Sequence, residues 1–191
     1  MSTKRHAFTT KVSDWKSRLS LVDLDEATAE QRDALSVTPS NMKVSDYLLT
    51  LAHDPQTLKH RTPLFNAIMY EKSGLPRAER ELGAMAASFI NGCVYCMATH
   101  ASRFIALTKR PDVVEAIFEQ GKDTRLEERM QLIYDFSIRL SESPIAITEA
   151  DVVKLRDAGF SKLEIYDLIQ SVALFGWANR LMHSLGDAVV D

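Results

Sequence analysis

The sequence of 191 residues predicts an all-α protein, a helical bundle. Three observations carry that reading. Glycine (7) and proline (6) are scarce, so tight turns are few. Apolar residues recur at helical spacing between recognisable caps and stops. No segment alternates apolar and polar residues long enough to make a strand, and residues 144–148 are too short to count. An apolar content of 46% against 26% charge is ordinary for a globular chain, and the length suits one domain with an arm.

The elements follow in chain order. Asp25 is expected to cap a short polar helix over residues 26–35. Asp54 before Pro55 reads as an N-cap with proline at the first helical position. Leu58, Phe65, Ile68 and Met69 share one face of the helix that follows, with a kink or split expected at Pro63. Gly74-Leu75-Pro76 stops that helix, and residues 77–90 open the next with strong helix formers. Asn91-Gly92 interrupts again, so a new helix starts at Cys93 and runs to the break at Lys109-Arg110-Pro111. Residues 112–120 form another, ended by Gly121. Thr124 with Glu127, Thr148 with Asp151, and Ser161 with Glu164 carry capping-box spacing. Gly159 and Gly186 close the last two helices. The final one is apolar on nearly every face over residues 171–178, which fits a core or a subunit interface. Residues 1–40 are more polar and read as an N-terminal helical arm packed on the domain or a neighbouring subunit, with the domain proper at 41–191.

Composition excludes several classes. A net charge of −3 and a pI near 6.0 argue against a nucleic-acid partner. No run of 18 uncharged apolar residues exists, so no membrane span is expected. The first fifteen residues lack the apolar middle of a secretory signal, so a cytoplasmic location is expected. Two cysteines cannot build a multi-disulfide scaffold.

Both cysteines fall in one window, Cys93-Val94-Tyr95-Cys96, with His100 four residues beyond. On a helix beginning at Cys93, the two cysteines share a face with Cα atoms about 5 Å apart, inside the range a disulfide tolerates. His100 at i+4 from Cys96 can lay its ring over that sulfur. The positive helix end favours thiolate over thiol. A cross-linkable pair, an anion-stabilising end and a nearby base are what dithiol reduction of a peroxide requires. A carboxylate orienting the imidazole would tune the proton transfer. Glu79 and Glu81 both precede the motif, and spacing alone does not choose between them.

The run Arg80-Glu81-Leu82, then Ser88, then Asn91-Gly92-Cys93-x-Tyr95-Cys96-x-x-x-His100 resembles the AhpD-like alkylhydroperoxidase family of the carboxymuconolactone decarboxylase superfamily. His53-Asp54-Pro55, Gly74-Leu75-Pro76 and Asn179-Arg180-Leu181 extend the likeness over roughly residues 40–190, toward a peroxidase-related branch. The resemblance implies an AhpD-like helical bundle with the CxxC at the N-terminus of a central helix, in a homo-oligomer (dimer, trimer or hexamer). It selects Glu81, twelve residues before Cys93, over Glu79. It assigns Cys96 as the peroxidatic cysteine, Cys93 as the resolving one, and Glu81 with His100 as the proton relay. One departure stands out: the position before the second cysteine, histidine in some members, is Tyr95.

The function implied is a haem-free, thiol-dependent peroxidase of hydrogen or organic hydroperoxides, recycled by a lipoyl-type or thioredoxin-like dithiol, with no cofactor and no metal. Two other readings are a non-redox decarboxylase-like lyase using Glu81 and His100, and a redox-sensing oligomer without turnover. A zinc site of Cys93, Cys96 and His100 lacks a fourth ligand. Tyr95 is expected to serve packing, Arg103 a surface ion pair, and Phe175 and Trp177 the core or an interface. His53, His60 and His183 are read as structural or exposed.

Overall fold

Nine α-helices and one two-stranded ribbon are found among the residues that the computed structural model describes, 8–36 and 44–189. The elements are β1 (Trp15–Ser17), α1 (Ala29–Ser36), α2 (Asp46–Leu51), α3 (Pro55–Tyr70), α4 (Arg77–Ile90), α5 (Val94–Thr108), α6 (Pro111–Gln120), α7 (Glu128–Ser141), α8 (Glu149–Asp157), α9 (Lys162–Leu185) and β2 (Gly186–Ala188). The division expected between residues 40 and 41 lies outside the described residues.

Helix α4 is the hub, packed by α5, α7 and α9. Its residues 80–88 are buried without a break, and five of the nine are glycine, alanine or serine. Small side chains let neighbouring backbones approach. A Cβ built on Gly83 would lie 3.1 Å from Leu168 Cδ1, 3.2 Å from Val172 Cγ2 and 3.3 Å from Ser137 Oγ, so α9 and α7 both close on this one position. Arg80 is buried beside them. Its guanidinium donates to the carbonyls of Ile68, Glu71 and Ser73 and to Asp167, tying the α3–α4 turn to α9. A buried arginine survives because it is paired and hydrogen-bonded.

Caps at Asp54, Thr148 and Ser161 lie where the sequence places them. Four details differ. Helix α1 starts at Ala29, because the Thr28 N–H donates to Gln31 Oε1 at 2.9 Å and the Gln31 N–H donates to Thr28 Oγ1 at 3.2 Å; Asp25 does not cap it. Pro63 does not split α3, which runs unbroken from Pro55 to Tyr70. Pro63 and Lys59, whose carbonyl loses its i+4 partner, both lie on the solvent side, where water can take that bond. Thr124 does not cap α7; its hydroxyl closes the preceding turn onto the Gly121 carbonyl, and Gln131 bonds back to Leu126 N and Thr124 O instead. Lastly, a strand pair exists: β1 and β2 run antiparallel, Lys16 opposite Asp187. Arg18 clamps this ribbon to Asp187 with two bonds of 2.7 Å.

Candidate active site

The turn from α4 to α5 sets the site. Gly92 has φ +67°, a left-handed conformation that side chains other than glycine rarely adopt. The chain thereby reverses, and Cys93 becomes the N-cap residue of α5, its amide bonded to Ser88 O at 2.9 Å. Cys96 lies in the first turn of the same helix, and the two sulfurs are 2.6 Å apart. Both cysteines are free thiols and buried.

Their surroundings separate the two thiols. A hydrogen bond from Cys96 lowers the Cys93 pKa, against burial, with help from the Cys96 backbone N–H and the Asn179 side chain. The same bond to Cys93, and then burial, push the Cys96 thiol up. Of the two thiols, Cys93, at the helix N-terminus, is the one that loses its proton more readily, and Cys96 is the one that keeps it. Asn179 is buried and fixed from behind by Asn91, whose amide donates to it at 3.1 Å.

Glu81 and His100 meet across the α4–α5 contact, Oε2 to Nδ1, at 2.5 Å. Their side chains are 0% and 2% exposed, so neither shares this bond with bulk water. Burial works against the charge on Glu81, but His100 and Arg77 outweigh it and hold the carboxyl below its ordinary range. Arg77, one turn earlier, donates through Nε at 2.8 Å and through Nη2, and its guanidinium stacks on Tyr70 at 3.9 Å. Burial is also the largest influence on His100 and lowers its pKa, so the ring is neutral at pH 7. An ionised carboxylate can only accept, so Nδ1 carries the ring proton and Nε2 is the basic nitrogen. The ring is held edge-on to Phe175, centroids 4.0 Å apart.

Cys96 and His100 line one cavity of about 260 Å³. Its other walls come from α2 and α3 (Tyr47, Arg61, Thr62, Phe65, Asn66), from α5 (Tyr95, Thr99, Arg103) and from α9 (Phe175, Met182). Burial pushes the Tyr47 phenol up to about 12, so it remains protonated.

Known proteins resemble this chain in sequence and in fold. Residues 55–131, which hold the cysteine pair, Glu81 and His100, match the model of the carboxymuconolactone decarboxylase family. A peroxidase-related protein with an alkylhydroperoxidase AhpD core from Ralstonia eutropha is 26% identical, with a TM-score of 0.76 over 88% of this chain and 90% of its own. A peroxidase-related protein from a Silicibacter species is 25% identical, TM-score 0.74, over 88% of each chain. Over residues 55–131 the chain is similar to the carboxymuconolactone decarboxylase family, and its fold is AhpD-like. No curated protein sequence matches it significantly. The debrominase Bmp8 shares the fold at 19% identity and TM-score 0.72, over 92% of this chain and 93% of its own, so the superfamily fold carries more than one activity.

Glu81, Cys93, Cys96 and His100 fall on α4, α5 and the turn between them, whereas Glu79 turns away to Arg129 at 2.8 Å. Tyr95 lines the cavity as well as packing. Arg103 departs from expectation: it lines the cavity, and among the described residues it has no ion pair. His53 bonds the Ser20 carbonyl and His183 the Asn91 carbonyl, both structural contacts. Phe175 is buried as core yet touches His100, and Trp177 is 40% exposed. Arg77, Asn179 and the α2–α3 wall escaped the sequence reading. Arg77 left a signal in its i, i+4 spacing to Glu81, and Asn179 only in the Asn179-Arg180-Leu181 likeness, which gave it no role.

Among the described residues, no helix is long and apolar enough to cross a membrane, and no group of three or more His, Cys, Asp or Glu side chains is placed to hold a metal ion.

Proposed function

We propose that this chain is a thiol-dependent peroxidase that reduces hydrogen peroxide or organic hydroperoxides and is recycled by a lipoyl-type or thioredoxin-like dithiol. The observation that carries the reading is that Cys96 and His100 line one cavity while Glu81 holds the imidazole in the tautomer of a base. The peroxide enters that cavity. His100 Nε2 takes the Cys96 proton, and the Cys96 thiolate attacks the distal peroxide oxygen. The O–O bond breaks, the alkoxide takes the proton from His100, and Cys96 is left as sulfenic acid. Cys93, the more readily ionised of the pair, attacks the Cys96 sulfur as its thiolate. The S–O bond breaks, hydroxide leaves and is protonated to water, and a disulfide forms. The external dithiol then reduces the pair and is itself oxidised to a disulfide. Glu81 stabilises the imidazolium while it lasts.

In this reading Cys93 is the resolving cysteine, and its lowered pKa serves the second step. Residues 1–40 act as an arm of the domain at 41–191, and the protein works as a homo-oligomer in the cytoplasm, where a reducing pool restores the thiols. Exposed Leu64, Tyr166 and Trp177 support a subunit contact.

The deciding experiment is dithiol-dependent peroxide consumption by wild type and Cys96→Ser. Turnover that disappears with Cys96 supports the proposal; a Cys96→Ser variant as active as wild type overturns it. Retained activity of a Cys93→Ser/Cys96→Ser double variant on a carboxylated lactone would instead establish the lyase reading.

A further inference from the structure

Buried polar atoms nearly always have a hydrogen-bond partner, so the exceptions are informative. Seven such side-chain atoms lack one among the described residues, and four of the seven line a single cavity, the one beside Cys96. They are Tyr47 Oη, Arg61 Nε, Thr62 Oγ1 and Asn66 Oδ1. Tyr47 and Thr62 are 9% and 1% exposed, so a partner for them has to come from within the cavity. A set of unmatched polar atoms gathered at one apolar-walled cavity selects a ligand able to pair with them.

The charge of that ligand follows from the walls. Arg61 and Arg103 line the cavity, and no aspartate or glutamate does. Among the described residues, neither guanidinium is in an ion pair, unlike Arg77 and Arg80 on α4 and Arg129 on α7. Glu81 does not compensate them: it lies behind His100, already shared between that ring and Arg77. Arg61 Cζ lies over the Phe65 ring, 4.4 Å from its centroid. A fixed guanidinium fork matches the two oxygens of a carboxylate. The cavity, at about 260 Å³, is below the ~300–1,000 Å³ typical of drug-sized ligands. Phe65 and Phe175 offer apolar walls for the rest of the molecule.

We infer that this cavity recognises a small organic carboxylate with a compact apolar or aromatic body, anchored by Arg61, so that the substrate of the proposed reaction is a carboxylate-bearing organic hydroperoxide. The inference names the substrate class for that reading and rests on it only for the reacting peroxide group, not for the anion site.

Two measurements separate the two claims. Calorimetry on the reduced protein compares 4-isopropylbenzoate with its neutral isostere 4-isopropylbenzamide. Turnover compares cumene hydroperoxide with its para-carboxylate. The carboxylate of each pair should be preferred by at least about tenfold, the scale of a charge-assisted hydrogen bond. Arg61→Gln should collapse the preference to near unity, and Arg61→Lys, which keeps charge but loses the fork, should retain part of it. Equal binding of benzoate and benzamide by the wild-type protein, or no binding of either, overturns the inference without any variant being needed. Peroxide turnover without carboxylate preference also overturns it and leaves the peroxidase reading standing. Carboxylate binding that depends on Arg61, without peroxide turnover, upholds the anion site and removes the peroxidase reading.

Discussion

Replacing Glu81 with glutamine tests the proton relay and nothing else of similar size. The carboxylate faces two sets of donors, His100 Nδ1 at 2.5 Å and the Arg77 guanidinium, with Nε at 2.8 Å. Glutamine offers one accepting oxygen and one donating amide. If the oxygen stays with Arg77, the amide faces Nδ1, which can accept only by passing its proton to Nε2. Glu81→Gln therefore keeps the shape and inverts the tautomer, removing the base from the cavity. A general base typically supplies ~10²–10⁴-fold, and dithiol-dependent peroxide consumption should fall by about that factor. Stability should fall less. A charged bond becomes a neutral one and Arg77 loses its counter-charge, for a cost of about 1.5–3 kcal/mol, below the ~3–5 kcal/mol of deleting a buried partner outright. The cost is pH-dependent with a definite sign. Glu81 titrates below its ordinary 4.5 in the folded protein, so its contribution is complete above that value and is lost as pH falls through the folded pKa. The stability gap between wild type and variant, read from urea unfolding, should be widest near neutrality and close below about pH 4.5. Nitrogen-15 spectra of the imidazole report the tautomer directly. A variant that keeps its proton on Nδ1, or whose stability gap stays constant into acid, would refute the reasoning.

Two further outcomes concern the thiol pair and the α4–α9 contact. Thiolate absorbance of the reduced protein should rise in two steps on either side of the ordinary cysteine value of 9.0, and Cys93→Ser should remove the lower one; a low step that survives Cys93→Ser would mean the charge sits on Cys96. Gly83→Val should drive its methyl groups into Leu168, Val172 and Ser137 and cost about 1–3 kcal/mol in urea unfolding; an unchanged midpoint would show that α9 can retreat from α4.

The helical frame was legible because its ends are chemically marked. Asp54-Pro55, Thr148 with Asp151, and Ser161 with Glu164 satisfy backbone N–H groups locally, so a short stretch of sequence is enough to locate them. Cys93, Cys96 and His100 were legible for the same reason, since one helix carries all three. Glu81 needed the family likeness, because whether it or Glu79 meets His100 depends on the rotation of α4 against α5, a tertiary quantity. The α2–α3 wall was out of reach. Tyr47, Arg61 and Asn66 come to Cys96 across 30 or more residues of chain, and nothing in their local spacing marks them. The β1–β2 ribbon is three residues a side, too short for an alternation to register, and it joins segments some 170 residues apart. The error at Pro63 came from treating a helix breaker as decisive without knowing which face it occupies.

Pairing β1 with β2 seats Trp15 edge-on to Tyr47, ring centroids 5.5 Å apart, in the same apolar cluster as Cys93, Cys96 and Met182. Sulfur is an efficient quencher of indole emission, and its thiolate and disulfide forms quench differently. The only other tryptophan, Trp177, lies 40% exposed on α9. Trp15 thus shares its cluster with the sulfur pair, and in a Trp177→Phe background oxidation of that pair should change the emission of the single remaining indole without a label.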